Sequence, residues 1–481
     1  MFSIHAIAAV FNANNGLATI DLIIVVLFLL ITLVIGLRLK NKHDDSAPDF
    51  LLGGRALTLP AFIATTVATW YGGILGVGEY AWTYGISNWI VFGVPYYFGA
   101  FLFACLLSKR ARAADCISIP ERFESQFGKK SAKCAACLIF LTSVPGAYTL
   151  IMGTLCAMSF GISQSFGLIA TTLFVLLYLW RGGFSAVTKT DAVQFFLMFA
   201  SFILLTLWLL FSYGLQPLST LPPSHLSPTG GQPLSAILIW YVIALSSLTN
   251  PNLFQRCFAA KTPNVARNGM LLSILCWLFF DFMTTTCGLY ARALLPDLQN
   301  PVEAFPALAI AVLPAGLVGI FFSGLFATVL STLDSNLFTS AATLGRDIWP
   351  QSFATRLSIT TKTRIGLVLS ALLAAYIAYA SGSVVAIWKM FGSVSAASLL
   401  LPILATYFPS KIHLRPKASL LLMIAAAATT LLWFASQALY GHYWLSLEPL
   451  FAGALVAIVI WLLDNLFAHF QNKKIVTPPP L

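Results

Sequence analysis

Charged side chains are scarce in this chain of 481 residues. Asp, Glu, Lys and Arg together make up 9% of the sequence, whereas 59% of its positions are hydrophobic. Soluble globular domains average roughly 25% charged residues, so this composition cannot cover a water-exposed surface of that size. The sequence therefore excludes a large water-soluble globule and predicts that lipid surrounds most of the protein.

Sequence signals for covalent or metal chemistry are also few. The eight cysteines lie in or beside apolar segments, without the spacing of a disulfide framework. Cys134 and Cys137 form a C-x-x-C pair, but no second Cys or His pair accompanies them, so we expect neither redox nor zinc chemistry. Because the apolar segments contain no paired-His motif and no nucleophile beside a base, we expect no cofactor and no enzyme activity.

The basic residues do not predict a cleaved leader or a nucleic-acid partner. The first fifteen residues contain no Lys or Arg, unlike a secretory signal, so we expect the first hydrophobic helix to be retained. Lys and Arg number 27 and Asp and Glu 16, which gives a formal charge of +11. The basic residues lie in short separated loops rather than on one surface, which argues against nucleic acid as a partner.

Long apolar runs are abundant, and a run of about 20 residues can cross a bilayer. They predict an all-α polytopic membrane protein with thirteen transmembrane helices. The predicted spans are residues 21–37, 59–84, 89–107, 134–160, 166–180, 192–213, 234–249, 270–290, 317–343, 365–380, 384–407, 419–439 and 450–467.

Basic residues alternate between the loops in a way that predicts the topology. If the chain begins outside, the cytoplasmic side holds Arg38, Lys40, Lys42, Lys109, Arg110, Arg112, Lys129, Lys130, Arg256, Lys261, Arg346, Arg364, Lys411, Arg415, Lys473 and Lys474. The longest external stretch, residues 214–233, has no Lys or Arg, as the positive-inside rule requires. We expect an integral protein of the bacterial inner membrane, with its N-terminus outside and a short cytoplasmic tail, residues 468–481.

The second span contains an unusual cluster of small residues. Its segment 65–78, TTVATWYGGILGVG, includes four positions that weaken a helix: Gly72, Gly73, Gly76 and Gly78. Irregular backbone inside a membrane is tolerated where it lines a cavity, and it would release the carbonyls of Ala68, Thr69 and Tyr71. Sodium, a hard cation, prefers such oxygens. The alternative is that the glycines only allow two helices to pack closely.

Hydroxyl groups and one acid lie together in the ninth span. Spacing of three and four residues places Thr328, Ser331, Thr332 and Ser335 on one helical face, beside Asp334. A single hydroxyl often bonds back to the carbonyl four residues earlier. Four hydroxyls with a carboxylate favour a cation site.

Ionisable residues inside predicted spans are functional candidates because they are costly in lipid. They are Glu79, Asp191, Asp281, Asp334, Lys389 and Asp464. Asp191 lies near the cytoplasmic side, where a solvated helix-end acid is the alternative. Lys389 is expected to pair with Glu79 or with a bound anionic substrate. Asp281 and Asp464 are predicted to be structural hydrogen-bonding partners.

Five further segments carry a family resemblance. They are FLLGGRALTLP (50–60), RGGFSAVTKTDAVQ (181–194), QRCFAAK (255–261), GLYARALLP (288–296) and SGLFATVLSTLDSNLFTSAATLGRDIW (323–349). In this order they resemble the sodium:solute symporter family, whose members carry proline, pantothenate, sugars, sialic acid or anions. The resemblance implies a leucine-transporter-type fold with discontinuous second and seventh spans. It implies an extra first helix (21–37), two inverted repeats of five helices (59–213 and 234–407) and two additional helices (419–467).

The resemblance also implies site residues. A sodium ion would be held by carbonyls and hydroxyls of Ala68, Tyr71, Thr328, Ser331 and Thr332. A possible second sodium would use Asp191, Ser331, Asp334 and Ser335. Asp334 stands where relatives often have a small polar residue, so this second site either binds sodium more strongly or has become a proton site.

The expected function is sodium-coupled symport of a small organic solute, such as an amino acid or carboxylate, by alternating access. The expected partners are sodium, the solute and the lipid bilayer, and we expect a functional monomer. Substrate-pocket candidates in the second, seventh and eleventh spans are Trp70, Glu79, Tyr80, Trp240, Asn250 and Lys389. The alternatives are a proton-coupled carrier of the same fold and a transporter-like membrane sensor.

Overall fold

The computed structural model describes residues 17–38, 47–349 and 357–475, and these residues are mainly helical. The helices are α1 (Thr19–Arg38), α2 (Ala47–Leu52), α3 (Leu59–Ala68), α4 (Ile74–Tyr84), α5 (Trp89–Ala113), α6 (Ile119–Ser143), α7 (Gly146–Phe160), α8 (Gln164–Tyr213), α9 (Leu234–Ile243), α10 (Pro251–Ala259), α11 (Pro263–Leu294), α12 (Ala304–Val312), α13 (Leu317–Thr343), α14 (Ile359–Ser381), α15 (Val384–Tyr407), α16 (Pro416–Tyr440) and α17 (Pro449–Ile475).

Thirteen segments can cross a membrane, as the apolar runs predict. Eleven helical stretches of the described chain are long and apolar enough to do so. One of them, the 50-residue α8, breaks at Gly183, whose φ of 54° lies outside the helical region, and it therefore supplies two spans. The short helices α3 and α4 together form the thirteenth. The boundaries of the two repeats stay a prediction.

The last helix differs from its predicted bounds. α17 continues to Ile475, so the first part of the predicted tail is helical. Residues 476–481 of that tail, and the basic residues Lys40 and Lys42, lie outside the described residues.

Both predicted discontinuous spans are confirmed. In the second span, residues 69–73 separate α3 from α4. In the seventh span, a 3₁₀ segment (Ala244–Thr249) leads to Asn250, whose φ of −67° and ψ of 113° are extended. Pro251 follows, and because proline lacks an N–H and disfavours helical backbone before it, the helix has to restart as α10.

The ninth span, α13, lies at the centre of the bundle. Its most apolar stretch is 89% buried, whereas that of α1 is 28% buried. α1 instead exposes Ile23, Leu27 and Leu30 on its outer face. Exposed apolar side chains of this kind suit a lipid environment, so α1 is peripheral and α13 is positioned to carry polar groups away from lipid.

A carboxylate on α1 holds the start of α13. Asp21 is 2% exposed, and its Oδ1 accepts hydrogen bonds from the backbone N–H groups of Gly316 at 2.7 Å and Gly319 at 2.6 Å. These N–H groups have no partner within the helix, and the positive end of the helix dipole favours an acid. The extra first helix is therefore joined to the central helix by more than apolar packing.

Candidate functional site

At the break in the second span, the Ser331 hydroxyl of α13 contacts backbone carbonyls. Ser331 Oγ lies 2.7 Å from the carbonyl oxygen of Ala68 and 3.0 Å from that of Thr328, and all three residues are buried. A hydroxyl has one proton and can satisfy only one of these carbonyls at a time. A carbonyl oxygen has two lone pairs, so the carbonyl that Ser331 does not bond can also accept a cation.

Two more of the predicted sodium ligands adjoin this contact. Thr332 Oγ1 lies 3.4 Å from the Thr328 carbonyl, and the Thr332 side chain packs directly on Gly72 at the break. Tyr71 lies in the same break, where its side-chain hydroxyl donates to the carbonyl of Trp277 at 3.0 Å. The structure therefore brings the Ala68 carbonyl together with the predicted oxygens of α13.

A buried arginine lies close to this group. Arg256, on α10, is fully buried, and its Nη2 is surrounded by four side-chain oxygens. The distances are 2.7 Å to Thr69 Oγ1, 2.7 Å to Ser335 Oγ, 3.1 Å to Thr65 Oγ1 and 3.3 Å to Asp191 Oδ2. Thr65 also donates its hydroxyl proton to Asp191. The guanidinium thus lies where several oxygens converge, as they do around a bound cation.

This arrangement corrects one prediction and shows where the residues of another lie. Arg256 is not in a cytoplasmic loop, because α10 continues the seventh span into the bundle and Asp191 supplies a counter-charge. The predicted second sodium set is also divided. Asp191 and Ser335 contact Arg256, Asp334 accepts a hydrogen bond from Tyr178 Oη at 2.8 Å, and Ser331 bonds the Ala68 carbonyl.

A cavity of about 230 Å³ lies beside the break. It is enclosed by residues of the break, α5, α7, the start of α10, α11 and α15. Of the six predicted pocket residues, Trp70 and Asn250 line it. The volume is below the roughly 300–1,000 Å³ typical of drug-sized ligands, so the cavity suits a small solute.

The other four candidates lie outside the lining of this cavity. Tyr80 and Trp240 both pack their rings on Phe92, one layer behind the cavity wall, with centroid distances of 4.9 and 4.8 Å. Glu79 is half-buried on α4. Tyr80 and Trp240 thus support the wall through Phe92.

The predicted partner of Lys389 is wrong. Its Nζ lies 2.8 Å from Oε2 of Glu448, just before α17, and 5.3 Å from the centre of the Tyr443 ring. Lys389 is in the second turn of α15 and reaches the end of the bundle, where Glu448 lies in a loop. The two predicted partners, Glu79 and a bound anionic substrate, both lie within the spans, whereas Glu448 lies outside them.

Two other acids behave as predicted. Asp464 accepts from Arg415 Nε at 2.6 Å and from the Arg415 backbone N–H at 3.0 Å. Asp281 accepts a hydrogen bond from Tyr97. Asp281 in addition lines the cavity.

Several polar and aromatic residues of the site were missed from the sequence. Asn252 Nδ2 donates to Asn336 Oδ1 at 3.0 Å, and Thr339 Oγ1 donates to Asn252 Oδ1 at 2.7 Å, which joins α10 to α13. The Trp388 ring packs against the backbone of Gly73. Neutral amides and single tryptophans are common in helices, so these residues do not stand out in the sequence. The glycines that allow the close approach are the one local sign of it.

Comparison with known proteins identifies the family. The model of the sodium:solute symporter family matches residues 50–413, most of the chain. The chain belongs to the sodium:solute symporter family. Among curated members, it is 25% identical over 416 residues to a sodium/pantothenate symporter of Haemophilus influenzae, covering 80% of this chain and 85% of the relative. It is 25% identical over 444 residues to the osmoregulated proline transporter OpuE of Bacillus subtilis, covering 85% and 87%.

Solved structures show the same fold. A Na⁺-coupled sialic acid symporter in a substrate-bound outward-open state superposes with a TM-score of 0.78 at 16% identity, covering 94% of this chain and 98% of that one. Mhp1, a nucleobase-cation-symport-1 family transporter, gives 0.56 at 13% identity, covering 86% and 93%. This symporter-family chain is therefore an integral membrane protein with the predicted leucine-transporter-like architecture.

Proposed function

We propose that the protein carries a small organic solute into the cell together with sodium, by alternating access. The observation that carries this proposal is the contact of Ser331 on α13 with the Ala68 carbonyl at the break. In this proposal the chain works as a monomer in the bacterial inner membrane, with its N-terminus outside. Sodium is the coupling ion, and the cavity beside the break holds the solute.

Sodium is proposed to bind between the break and α13. Its ligands are the carbonyls of Ala68, Tyr71 and Thr328 and the hydroxyls of Ser331 and Thr332. Without the ion, Ser331 Oγ donates a hydrogen bond to the Ala68 carbonyl. When the ion binds, this hydrogen bond is broken and both oxygens coordinate the cation. The ion thereby ties α3 and α4 to α13.

This tie explains how the gradient drives transport. Sodium entry is worth about 2.3 kcal/mol per charge for each 100 mV of membrane potential. Because the cavity is bounded by the same break, an ion that fixes the break also shapes the solute site. Coupling between binding sites is reciprocal, so sodium strengthens solute binding and solute strengthens sodium binding by the same factor.

The proposed stoichiometry is one sodium ion per cycle. Arg256 Nη2 has two protons and is within 3.3 Å of four oxygens from the predicted second site and its surroundings. A second sodium at Asp191 and Ser335 would have to displace this guanidinium. Arg256 is therefore proposed to act as a permanent, tethered cation in place of a transported one.

Ser331→Ala tests the sodium site directly. We expect sodium to raise the melting temperature of the purified wild-type protein more than potassium does at equal ionic strength. Loss of the hydroxyl ligand is expected to raise the sodium concentration needed for half of this effect by about ten-fold or more. Ser340→Ala is the matched control, because Ser340 is on the same helix and its Oγ donates to the Leu337 carbonyl of its own helix at 3.0 Å.

Two results would contradict sodium coupling at this site. One is an equal effect of sodium and potassium on the wild-type protein. The other is an unchanged sodium response in the Ser331→Ala protein. Solute uptake into proteoliposomes that requires a pH gradient and does not depend on sodium would instead identify a proton-coupled carrier.

A further inference from the structure

The polar groups that face the cavity indicate the charge of its solute, and this argument rests on the transport function proposed above. Only two of the lining residues, Arg256 and Asp281, belong to the Asp, Glu, Lys, Arg or His types. They have opposite formal charges. Which of them can reach a solute therefore determines the kind of molecule that the cavity favours.

Arg256 borders the cavity, but its charged group is closed off from the space inside. Its side chain is fully buried, and Nη2 is held by the oxygens that surround Asp191. Nε and Nη1 are buried as well and have no hydrogen-bond partner among the described residues. None of the three nitrogens is exposed to the cavity, so a solute carboxylate has no cationic side chain to bind there.

Unlike Arg256, Asp281 retains some exposed surface. It is 5% exposed, it lines the cavity, and Tyr97 donates a hydrogen bond to its Oδ2. Within the described part of the chain, Asp281 forms no ion pair with Lys, Arg or His. A buried carboxylate without a counter-charge is costly, and a bound cation relieves that cost.

The walls of the cavity suit a positively charged nitrogen. Trp70 packs edge-on against Tyr96 at 5.9 Å, and Trp388 contacts the rings of Tyr148 at 6.4 Å and Phe92 at 6.5 Å. All five rings line the cavity. Aromatic faces attract ammonium groups, and this attraction is stronger where water is excluded.

We infer that the transported solute carries an organic ammonium group, with Asp281 as its counter-ion and the aromatic rings as its walls. The neutral amides of Asn250 and Asn336 complete the cavity and can bond to polar groups elsewhere on the solute. A compound whose only charged group is a carboxylate would be repelled by Asp281, and no ammonium group would offset that repulsion. The inference thus favours amines, quaternary ammonium compounds and zwitterions over anions.

A panel of matched ligands tests this inference. Melting temperatures of the full-length protein are measured with choline and its uncharged isostere 3,3-dimethylbutan-1-ol, with glycine betaine and 3,3-dimethylbutanoate, and with proline and cyclopentanecarboxylate, each in sodium and in potassium. Pantothenate is added as a larger anion. We expect stabilisation by at least one ammonium compound in sodium, and none by its partner without the ammonium group.

Asp281→Asn keeps the size of the side chain and removes its charge. It is expected to weaken binding of the stabilising ammonium compound by about ten-fold or more. Asp297→Asn, at an exposed position outside the cavity, is the matched control and is expected to leave binding unchanged. The response of both variants to sodium alone shows whether the sodium site is intact.

The outcomes separate the two proposals. Sodium-dependent binding restricted to anions or uncharged compounds, the absence of any ammonium ligand, or an unchanged affinity in Asp281→Asn overturns the ammonium inference and leaves sodium symport standing. Ammonium binding that is lost in Asp281→Asn but is equal in sodium and potassium supports the inference and overturns the sodium coupling.

Discussion

Arg256→Met protein is expected to unfold at a lower temperature than the wild type in sodium-free buffer. Methionine has an uncharged side chain of similar length. The substitution therefore leaves the Asp191 carboxylate without its cation. Removing one partner of a buried ion pair typically costs about 3–5 kcal/mol, because the remaining charge stays buried. Thr65 still donates to Asp191, but a neutral hydroxyl compensates only part of that cost.

Sodium is expected to restore much of the lost stability. With the guanidinium removed, oxygens of Thr69, Asp191 and Ser335 become available to an ion, and binding to the folded state alone raises stability. The rise in melting temperature between potassium and sodium buffer should therefore be larger for Arg256→Met than for the wild type. The dependence on sodium concentration should show a second binding event.

The double variant Arg256→Met/Asp191→Asn is the control for this effect. It removes both charges together, so it should be more stable than Arg256→Met in potassium buffer and should lose the additional sodium response. Arg256→Lys keeps a cation and should lie between the wild type and Arg256→Met. If the sodium response of Arg256→Met equals that of the wild type, Arg256 does not act as a tethered cation.

Gly72→Ala is expected to weaken sodium binding, although it adds only one methyl group. A Cβ atom at this position would lie 2.6 Å from Thr332 Oγ1 and 2.7 Å from its Cγ2, well inside van der Waals contact. The break and α13 would have to separate, and overpacking of this kind costs about 1–3 kcal/mol. Because Thr332 and the break supply sodium ligands, we expect sodium affinity to fall by roughly ten-fold.

Gly76→Ala provides a control on the same span. Its Cβ would lie 3.4 Å from the Trp388 ring, an ordinary contact, so its sodium response should resemble that of the wild type. The measurement is the sodium concentration at half of the maximal rise in melting temperature for all three proteins. If Gly72→Ala matches the wild type, close approach of the break to α13 is not required for sodium binding.

The features that could be predicted from the sequence are those encoded locally. Apolar runs long enough to cross lipid predict thirteen segments, and the glycines around Gly72 indicate the discontinuous second span. The break in the seventh span was expected only from the family resemblance. The hydroxyls of Thr328, Ser331 and Thr332 share a face because of helical spacing alone. Their meeting with Ala68 was expected only through the family resemblance, since nothing local joins residues 263 positions apart.

The remaining features depend on contacts between distant segments. Arg256 looked like a loop residue because its counter-charge, Asp191, lies 65 positions earlier in the chain. Lys389 pairs with Glu448 outside the spans, which a search for acids inside spans cannot find. The lining of the cavity requires the positions of the break, α11 and α15 relative to one another, and single-helix patterns do not contain this information.

The bond between Asp21 and the start of α13 also bears on how the protein is made. The two partners are 295 positions apart. Because ribosomes add roughly 5–20 residues per second, the N–H donors are synthesised about 15 to 60 s after the carboxylate. During this interval α1 has entered the membrane without its final neighbour. Assembly of the N-terminal helices is therefore completed only after translation has passed the start of α13, which supplies the N–H donors of Asp21.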